Sequence, residues 1–449
     1  MTSLTSATDT NFLGQGDFVY RAPFVPVFRS GRGATLVDES GRRYLDAEAA
    51  NGAAAFGYDE TILAEACELL RELPALPSFC ESAMRLDYGE RIARWFETQT
   101  GVRGRVAFDL GGAQGIELAV KIAAHNRPGE RLATFEGAYH GRSPLASQLS
   151  SSHRYRHWVG SFLPVTRLPL PDCTRCRFGR EPETCEVECA AYTRSLFRED
   201  FAGLVSKGDL GGLSAFLFEP MLNVGGMAVP DRRYLASIID ELRQAGVLII
   251  ADEVFTGLYR LGTPLGVQRH GIVPDIIVLS KALTNGMAPF SCVWAREPLL
   301  TPENFPPGSH SITFGNNPLS LALARVVLGR FLESSAVERQ VEVVHDFLAG
   351  LGARIAARFP LVREAKATGA VLSLRLGLPI AEQLRESAKQ AGADTPVNGY
   401  FGLLVASTGM TSDVIALHPP LTLTECDMAV IEGLLTQALA TSPAEGPGG

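Results

Sequence analysis

The chain has 449 residues, 46% of them apolar and 20% charged, with a formal net charge of −8. That length exceeds one ordinary domain, so two structural domains around a sizeable core are expected. The acidic balance argues against a nucleic-acid or anionic-membrane surface, which would need a basic patch. The apolar runs Val247 to Ile250 and Ile276 to Leu279 are far too short to cross a bilayer. Met1 to Asp17 holds no charged stretch followed by an apolar core, so no signal peptide is visible and a cytoplasmic location is expected.

In chain order, Thr2 to Gly16 reads as a disordered tail, and so does Thr441 to Gly449 at the other end. Thr35 to Asp46 holds short strands around a Gly-Arg-Arg turn, expected to pack with the C-terminal part of the chain. Short β-branched runs then alternate with helical patterns, the signature of an α/β protein with a mostly parallel sheet. Strands are expected at Val106–Asp109, Ala133–Glu136, Leu213–Phe218, Val247–Asp252, Ile276–Ser280 and Cys292–Ala295, and their continuous apolar character suits burial on both faces. Helices are expected at Gln114–His125, Arg233–Ala245, Pro318–Leu332 and Glu338–Arg358. Beyond about residue 335 the pattern changes to a smaller α+β region. It comprises Gly369–Leu376, a polar, mobile-looking stretch Arg385–Asn398, then Leu403–Ala406 and a last helix from Glu425.

Of the eight cysteines, Cys67, Cys80, Cys292 and Cys426 stand alone and read as small buried apolar residues. The other four cluster as Cys173, Cys176, Cys185 and Cys189. In a reducing compartment such a cluster is either a zinc site or a set of surface thiols, and its gaps do not match a zinc knuckle closely.

Several positions carry chemistry. Lys281 ends the apolar run Ile276 to Ser280 and opens a turn containing Gly286. Ligand crevices in open α/β sheets lie at the carboxyl ends of strands, and a desolvated lysine there suits a Schiff-base nucleophile. Taken alone, such a lysine is more often an ordinary surface residue. Asp252-Glu253 closes another apolar strand, where a carboxylate could serve a cofactor or merely cap a helix. Gly111-Gly112-Ala113-Gln114-Gly115 follows a strand and opens a helix, a place where backbone N–H groups and the helix dipole favour a phosphate. Tyr139-His140-Gly141 follows a further strand, where an aromatic could stack on a planar ligand.

Read together, the order changes the balance. A glycine turn, Tyr139-His140-Gly141, Glu219-Pro220, Asp252 to Gly257, Ser280-Lys281-Ala282-Leu283 and Thr313 to Pro318 follow one another at intervals that resemble the class III pyridoxal 5′-phosphate (PLP)-dependent aminotransferases, the ornithine, 4-aminobutyrate and ω-amine type. The resemblance runs from about residue 25 to about residue 440. It implies the fold-type I PLP-dependent transferase architecture: a mostly parallel seven-stranded sheet in a large domain, with a smaller α+β domain built from both chain ends. The implied layout is a tail at 1–18, small-domain residues 19–75, a large PLP-binding domain at 76–332, small-domain residues 333–440 and a tail at 441–449. It also implies a homodimer with shared active sites and small-molecule amine and carbonyl substrates. Position by position, Lys281 matches the Schiff-base lysine, Asp252 the partner of the pyridine nitrogen, and Val254 the residue against one ring face. Tyr139 matches the aromatic on the other face, with His140 beside it. Gly112 and Ala113 match the phosphate-holding backbone, Glu219 a structural glutamate, and Thr313 the residue that reaches the phosphate across the dimer.

The sequence departs from that family in two places that bear on binding. The usual hydroxyl of the phosphate turn is lost at Ala113, and an unreplaced charge-assisted hydrogen bond costs about 1.5–3 kcal/mol. The arginine that grips a substrate carboxylate is replaced by Ala416, and the glutamate that pairs with it in some members by Val224. Losing both together is physically coherent, since a lone buried charge is costly. Either another arginine, such as Arg21, takes the task, or the substrate lacks an α-carboxylate. The latter points to an ω-amine, an amino sugar or a specialised-metabolite carbonyl. An amino-acid racemase or epimerase on the same fold is an alternative, and a non-catalytic PLP-fold sensor or scaffold another.

Overall fold

The computed structural model describes residues 22–71, 74–77, 79–129, 131–155, 159–198, 212–332 and 334–442. The tail expected at 1–18 and nearly all of that at 441–449 lie outside these residues, and so does Arg21. The chain divides into two compact units. The smaller takes its described residues from 22–51, 55–59 and 343–442, the larger from 52–54 and 60–342. The divisions thus fall at 59/60 and inside the helix Ser334–Arg358, away from the expected 75/76 and 332/333. The helix Glu60–Leu69 goes with the larger unit because it packs on the helix Pro318–Leu332, with Glu65 paired to Arg330.

In the smaller unit, β1 (Phe28–Arg32), β2 (Thr35–Asp38) and β3 (Arg43–Asp46) form antiparallel pairs. Asp38 fixes the β2–β3 turn: its Oδ1 accepts from the backbone N–H of Ser40 and Arg42, both at 2.9 Å, and Gly41 supplies the positive φ of 79°. After β3 the residues Ala49, Ala50, Asn51 and Gly52 all have positive φ (50°, 51°, 59° and 77°), a full left-handed turn. Each L-residue there costs about 1–2 kcal/mol. Buried Asp46 offsets part of this by accepting from the N–H groups of Glu48 and Ala49 (2.9 Å each) and from the Tyr58 hydroxyl (2.7 Å).

The larger unit holds a seven-stranded sheet of β4 (Gly104–Asp109), β5 (Arg131–Phe135), β6 (Val165–Leu168), β7 (Leu213–Phe218), β8 (Leu248–Asp252), β9 (Ile276–Leu279) and β10 (Ser291–Arg296), in the order β4-β10-β9-β8-β7-β5-β6. All neighbours are parallel except β10, which is antiparallel to β9 and β4. Two antiparallel steps restore direction, so β4 runs with β9, and the carboxyl ends of β4, β5, β7, β8 and β9 share one edge. Strands β7, β8 and β9 are buried along their whole length, which is why they read as continuous apolar runs. The helix Gly112–Asn126 covers one face, setting Ile116, Ala119 and Ile122 against Leu217, Ile250, Val278 and Val293. The helix Arg232–Gln244 starts where Asp231 caps it and buries Tyr234, Leu235, Ile238, Ile239 and Leu242 along one stripe.

The chain returns to the smaller unit with β11 (Val362–Thr368), β12 (Val371–Leu376), β13 (Tyr400–Leu404), β14 (Ala406–Thr408) and β15 (Val414–Leu417). A four-stranded sheet orders as β11-β12-β15-β14, while β13 pairs in parallel with β3, so the opening segment does join C-terminal chain. Of the stretch Arg385–Asn398, only the first four residues are helical; the rest runs through turns. Arg385 to Ala388 continue the helix Ala381–Ala388, anchored by buried Ala381, Leu384 and Ala388 at helical spacing. The lone cysteines also need correction: Cys292 is buried, but Cys67, Cys80 and Cys426 are exposed. Cys67 sits on a helix whose buried positions are Ile62 and Ala66, and Cys426 precedes the buried stripe that begins at Val430. Among the described residues no helix is long and apolar enough to cross a membrane.

Candidate active site

The shared carboxyl edge of the large sheet gathers the residues singled out in the sequence. Asp252 ends β8 and is 5% exposed. Its Oδ1 accepts from the Val254 N–H at 3.0 Å, and its Oδ2 lies 2.8 Å from His140 Nδ1. His140, from the loop after β5, is also buried, with its backbone N–H donated to Ser150 Oγ at 3.0 Å. Its Nε2 is buried without a hydrogen-bond partner among the described residues, so its grip on Asp252 is its one ring hydrogen bond there.

Glu219, just past β7, accepts from the Tyr139 N–H at 2.8 Å and the Asn223 N–H at 3.2 Å, which pins the stacking loop to the end of β7. Burial pushes its carboxyl up to about 7, opposed by His140 and reinforced by Asp252. Glu253 points elsewhere: it accepts from Thr256 Oγ1 (2.5 Å) and from the N–H groups of Gly266 (2.9 Å) and Val267 (2.8 Å), and burial raises it to about 7 as well.

The glycine turn lies between β4 and its helix. Gly111 caps the helix in extended conformation without a side-chain bond, leaving first-turn N–H groups free of intrahelical partners. A Cβ added to Gly112 would stand 3.0 Å from Val254 Cγ1, and one on Gly141 would stand 2.7 Å from the Ala113 Cβ. The turn therefore sits directly against the ends of β8 and β5, closer than side chains would allow. Tyr139 is half-buried, its ring edge-on to Tyr155 at 5.0 Å, and exposed Arg142 lies over Tyr155 at 5.0 Å. Lys281 begins a tight turn at the end of β9 with φ 39°, in the left-handed region, and its Nζ lies 5.0 Å from the centre of the Phe255 ring.

Thr313 is exposed on the turn that precedes Pro318, where Asn316 Nδ2 donates to the Cys80 carbonyl at 2.7 Å. Ala416 is fully buried in β15 of the smaller unit, paired with Ser373 and Ala406. Val224 is half-buried one residue past Asn223. Tyr155, Arg142 and Phe255 went unnoticed in the sequence; only the two-residue step from His140 to Arg142 hinted at the second. Among the described residues, no group of three or more His, Cys, Asp or Glu side chains is arranged to hold a metal ion. The clustered thiols meet carboxylates instead: Cys185 Sγ meets Glu188 three residues on at 3.3 Å, and Cys173 Sγ lies 3.9 Å from Asp231, at the start of the helix Arg232–Gln244.

The buried carboxylate of Asp252, the strand-end Lys281 and the helix N-terminus at Gly111 thus lie along one edge of an α/β sheet. The profile of the aminotransferase class-III family matches residues 20–439, and the chain belongs to that family. It is similar to a diaminobutyrate–2-oxoglutarate aminotransferase of Rhizobium meliloti, 28% identical over 93% of this chain and 89% of that one. It is likewise similar to an ornithine aminotransferase of Emericella nidulans, 29% identical over 98% and 91%, and to a leucine/methionine racemase of Thermococcus litoralis, 28% identical over 71% and 69%. Among solved structures, a PLP-bound amine transaminase from an uncultivated Pseudomonas species superposes with a TM-score of 0.81 at 25% identity, covering 95% of this chain and 97% of that one. The protein is thus a PLP-dependent aminotransferase of fold type I.

The residues present suit that cofactor. Gly112 and Gly141 allow tight packing against Val254 and Ala113, the adjoining helix offers N–H donors to a phosphate dianion, and buried Asp252 offers a carboxylate. Ala113 adds no hydroxyl to the turn, whose own donors to a phosphate would be backbone N–H groups.

Proposed function

We propose that Lys281 and Asp252 carry the transamination and that Gly112, Ala113, Tyr139, His140, Glu219, Val254 and Thr313 hold the cofactor. The single observation that supports this best is the buried Asp252–His140 pair on the same sheet edge as Lys281. When bound, PLP supplies a cationic ring that takes up the electron pair left at the donor carbon. Asp252 keeps a proton on the ring nitrogen by holding a negative charge beside it, and His140 Nδ1 donates to Asp252 so that the charge stays put. Lys281, at the end of β9, would hold the cofactor through Nζ. With Nζ free, it would accept the proton from the donor carbon and give it up again two atoms along, a 1,3 shift in which one nitrogen serves first as base and then as acid. Val254 and Tyr139 would flank the ring and keep water from its faces. Donor and acceptor would use the same Nζ in turn, a ping-pong sequence.

Arg142 follows Tyr139-His140-Gly141 directly, its guanidinium 5.0 Å from the centre of the Tyr155 ring. In the absence of an arginine at Ala416, it is our candidate for an anionic substrate group. Donors whose amine lies far from any carboxylate fit this arrangement best. A homodimer completes the site: Phe79 (90% exposed), Leu86 (60%) and Phe314 (59%) leave apolar surface beside Thr313 for a second copy to cover. The eight unpaired cysteines agree with a reducing, cytoplasmic setting.

Purified protein given PLP is expected to absorb visible light and to lose that band, with all turnover, on Lys281→Ala; a colourless wild type overturns the proposal. The similarity to a racemase makes racemisation the second reading. A half-reaction separates the two: a ketone product with pyridoxamine phosphate means transamination, solvent deuterium uptake without ketone means racemisation.

A further inference from the structure

At the end of β8 four consecutive side chains go to four different partners. Asp252 meets His140, Glu253 meets Thr256 and the Gly266–Val267 backbone, Val254 stands against Gly112, and Phe255 meets Lys281. The engagements of Asp252 and Val254 match tasks already assigned, and Glu253 ties down its own loop. The fourth matches no such task. Phe255 is 6% exposed, so its ring is part of the packed wall and cannot swing away from the lysine. The lysine is constrained as well: its backbone lies at φ 39°, and Ser280 before it is tied by its hydroxyl to the Phe290 carbonyl at 2.6 Å. A fixed ring face 5.0 Å from Nζ lies within the range at which an aromatic quadrupole attracts an ammonium. The carboxylates on the same strand end have partners of their own, Asp252 in His140 and Glu253 in Thr256 and the Gly266–Val267 backbone.

We propose that Phe255 is a positioning residue for Lys281, giving the amine a resting place whenever it is not bonded to the cofactor. The proposal rests on Lys281 being the cofactor-bearing residue. During transamination Nζ is released, carries a proton, and must be found again at the same spot to return it. A ring face suits that duty better than a carboxylate would. It attracts the ammonium without taking its proton, and its grip is weak enough for the amine to leave. An ion pair at this position would hold the proton and slow the return step.

The test reads the free lysine directly. In protein freed of cofactor, the rate at which an amine-selective acylating reagent labels Lys281 is followed by peptide mass spectrometry. Phe255→Leu is expected to raise that rate about two- to tenfold, the range expected for losing one cation–π contact. Phe255→Tyr, which keeps a ring face, is expected to label at the wild-type rate. In the holoenzyme, Phe255→Leu lowers kcat and leaves KM unchanged, because substrate binding is untouched while proton return is not. Should the leucine variant fold poorly, Phe255→Met keeps the volume without the ring and takes its place. Equal labelling of the wild type and the leucine or methionine variant overturns the proposal, as does a tyrosine variant that labels as fast as leucine. Failure of the underlying assignment looks different: the holoenzyme would then keep its visible band after Lys281→Ala, whatever Phe255 does.

Discussion

The end of β8 and the excursion from Cys173 to Cys189 both concentrate reactive side chains in a short stretch, yet they differ in what those side chains meet. Around Asp252 the groups are buried, and Asp252, Val254 and Phe255 each meet a residue from a distant part of the chain: His140, Gly112 or Lys281. In the excursion the thiols are exposed or half-buried: Cys185 Sγ meets Glu188 and the Val187 N–H, and Cys173 Sγ makes one long contact, 3.9 Å from Asp231. Density of reactive residues is therefore a poor guide to function. Burial with long-range engagement is the better one, because placing a charge in a dry interior costs several kcal/mol unless the fold supplies partners.

That contrast can be broken by mutation. The largest effect is expected at Asp252→Asn, which leaves the shape but removes the charge: turnover should fall about 10²–10³-fold while some cofactor stays bound. Near-normal steady-state rates would show that the carboxylate's charge is dispensable. Next is His140→Ala, which strips Asp252 of a charge-assisted hydrogen bond worth about 1.5–3 kcal/mol. Cofactor affinity, measured by titrating the visible band, should drop about 10- to 100-fold, and an unchanged affinity would remove His140 from the site. Arg142→Ala should raise KM about tenfold for donors bearing a carboxylate and leave neutral amines unaffected; equal effects on both would exclude it as the anion anchor.

Stability against pH sharpens the same comparison. Glu253 titrates at about 7 in the fold against an ordinary 4.5, so the folded chain binds this proton more tightly than the unfolded one. Its contribution is fully present below about pH 4.5 and is lost as pH rises through about 7. Glu219 acts in the same direction. Urea midpoints should therefore be higher at pH 5 than at pH 8, and Glu253→Gln should narrow that gap while lowering stability by about 1–3 kcal/mol overall. The smallest effect belongs to the excursion: changing Cys173, Cys176, Cys185 and Cys189 together to serine should move stability by less than about 0.5 kcal/mol per site and leave turnover alone. A large loss, accompanied by release of bound zinc from the wild type, would give the cluster a structural task.

Most of the large sheet was legible because doubly covered parallel strands must be apolar throughout, as β7, β8 and β9 are. Strand β6, whose Val-Thr-Arg-Leu sequence is buried only at Leu168, carries no such signal and was missed. The helix Ala381–Ala388 was hidden by its polar outer face, since only three of its residues are buried. In the site, Asp252 and Lys281 could be read from their places at strand ends. The hydrogen bond from His140 could not, because 112 residues separate it from Asp252 and only the sheet order brings β5 within reach of β8 through β7. Phe255 was invisible for a different reason: beside an acidic pair, one more apolar residue looks like ordinary core.

The left-handed turn at Ala49–Gly52 has a consequence for how this protein can be dissected. Immediately after it the chain lends Gly52–Ala54 to the larger unit, returns to the smaller one for Ala55–Asp59, and crosses again at Glu60. Neither unit is one uninterrupted stretch of sequence, so no single cut yields either of them whole. Recombination between relatives at a point in this region would split both units at once. An attempt to express either unit by itself must therefore rejoin separated segments.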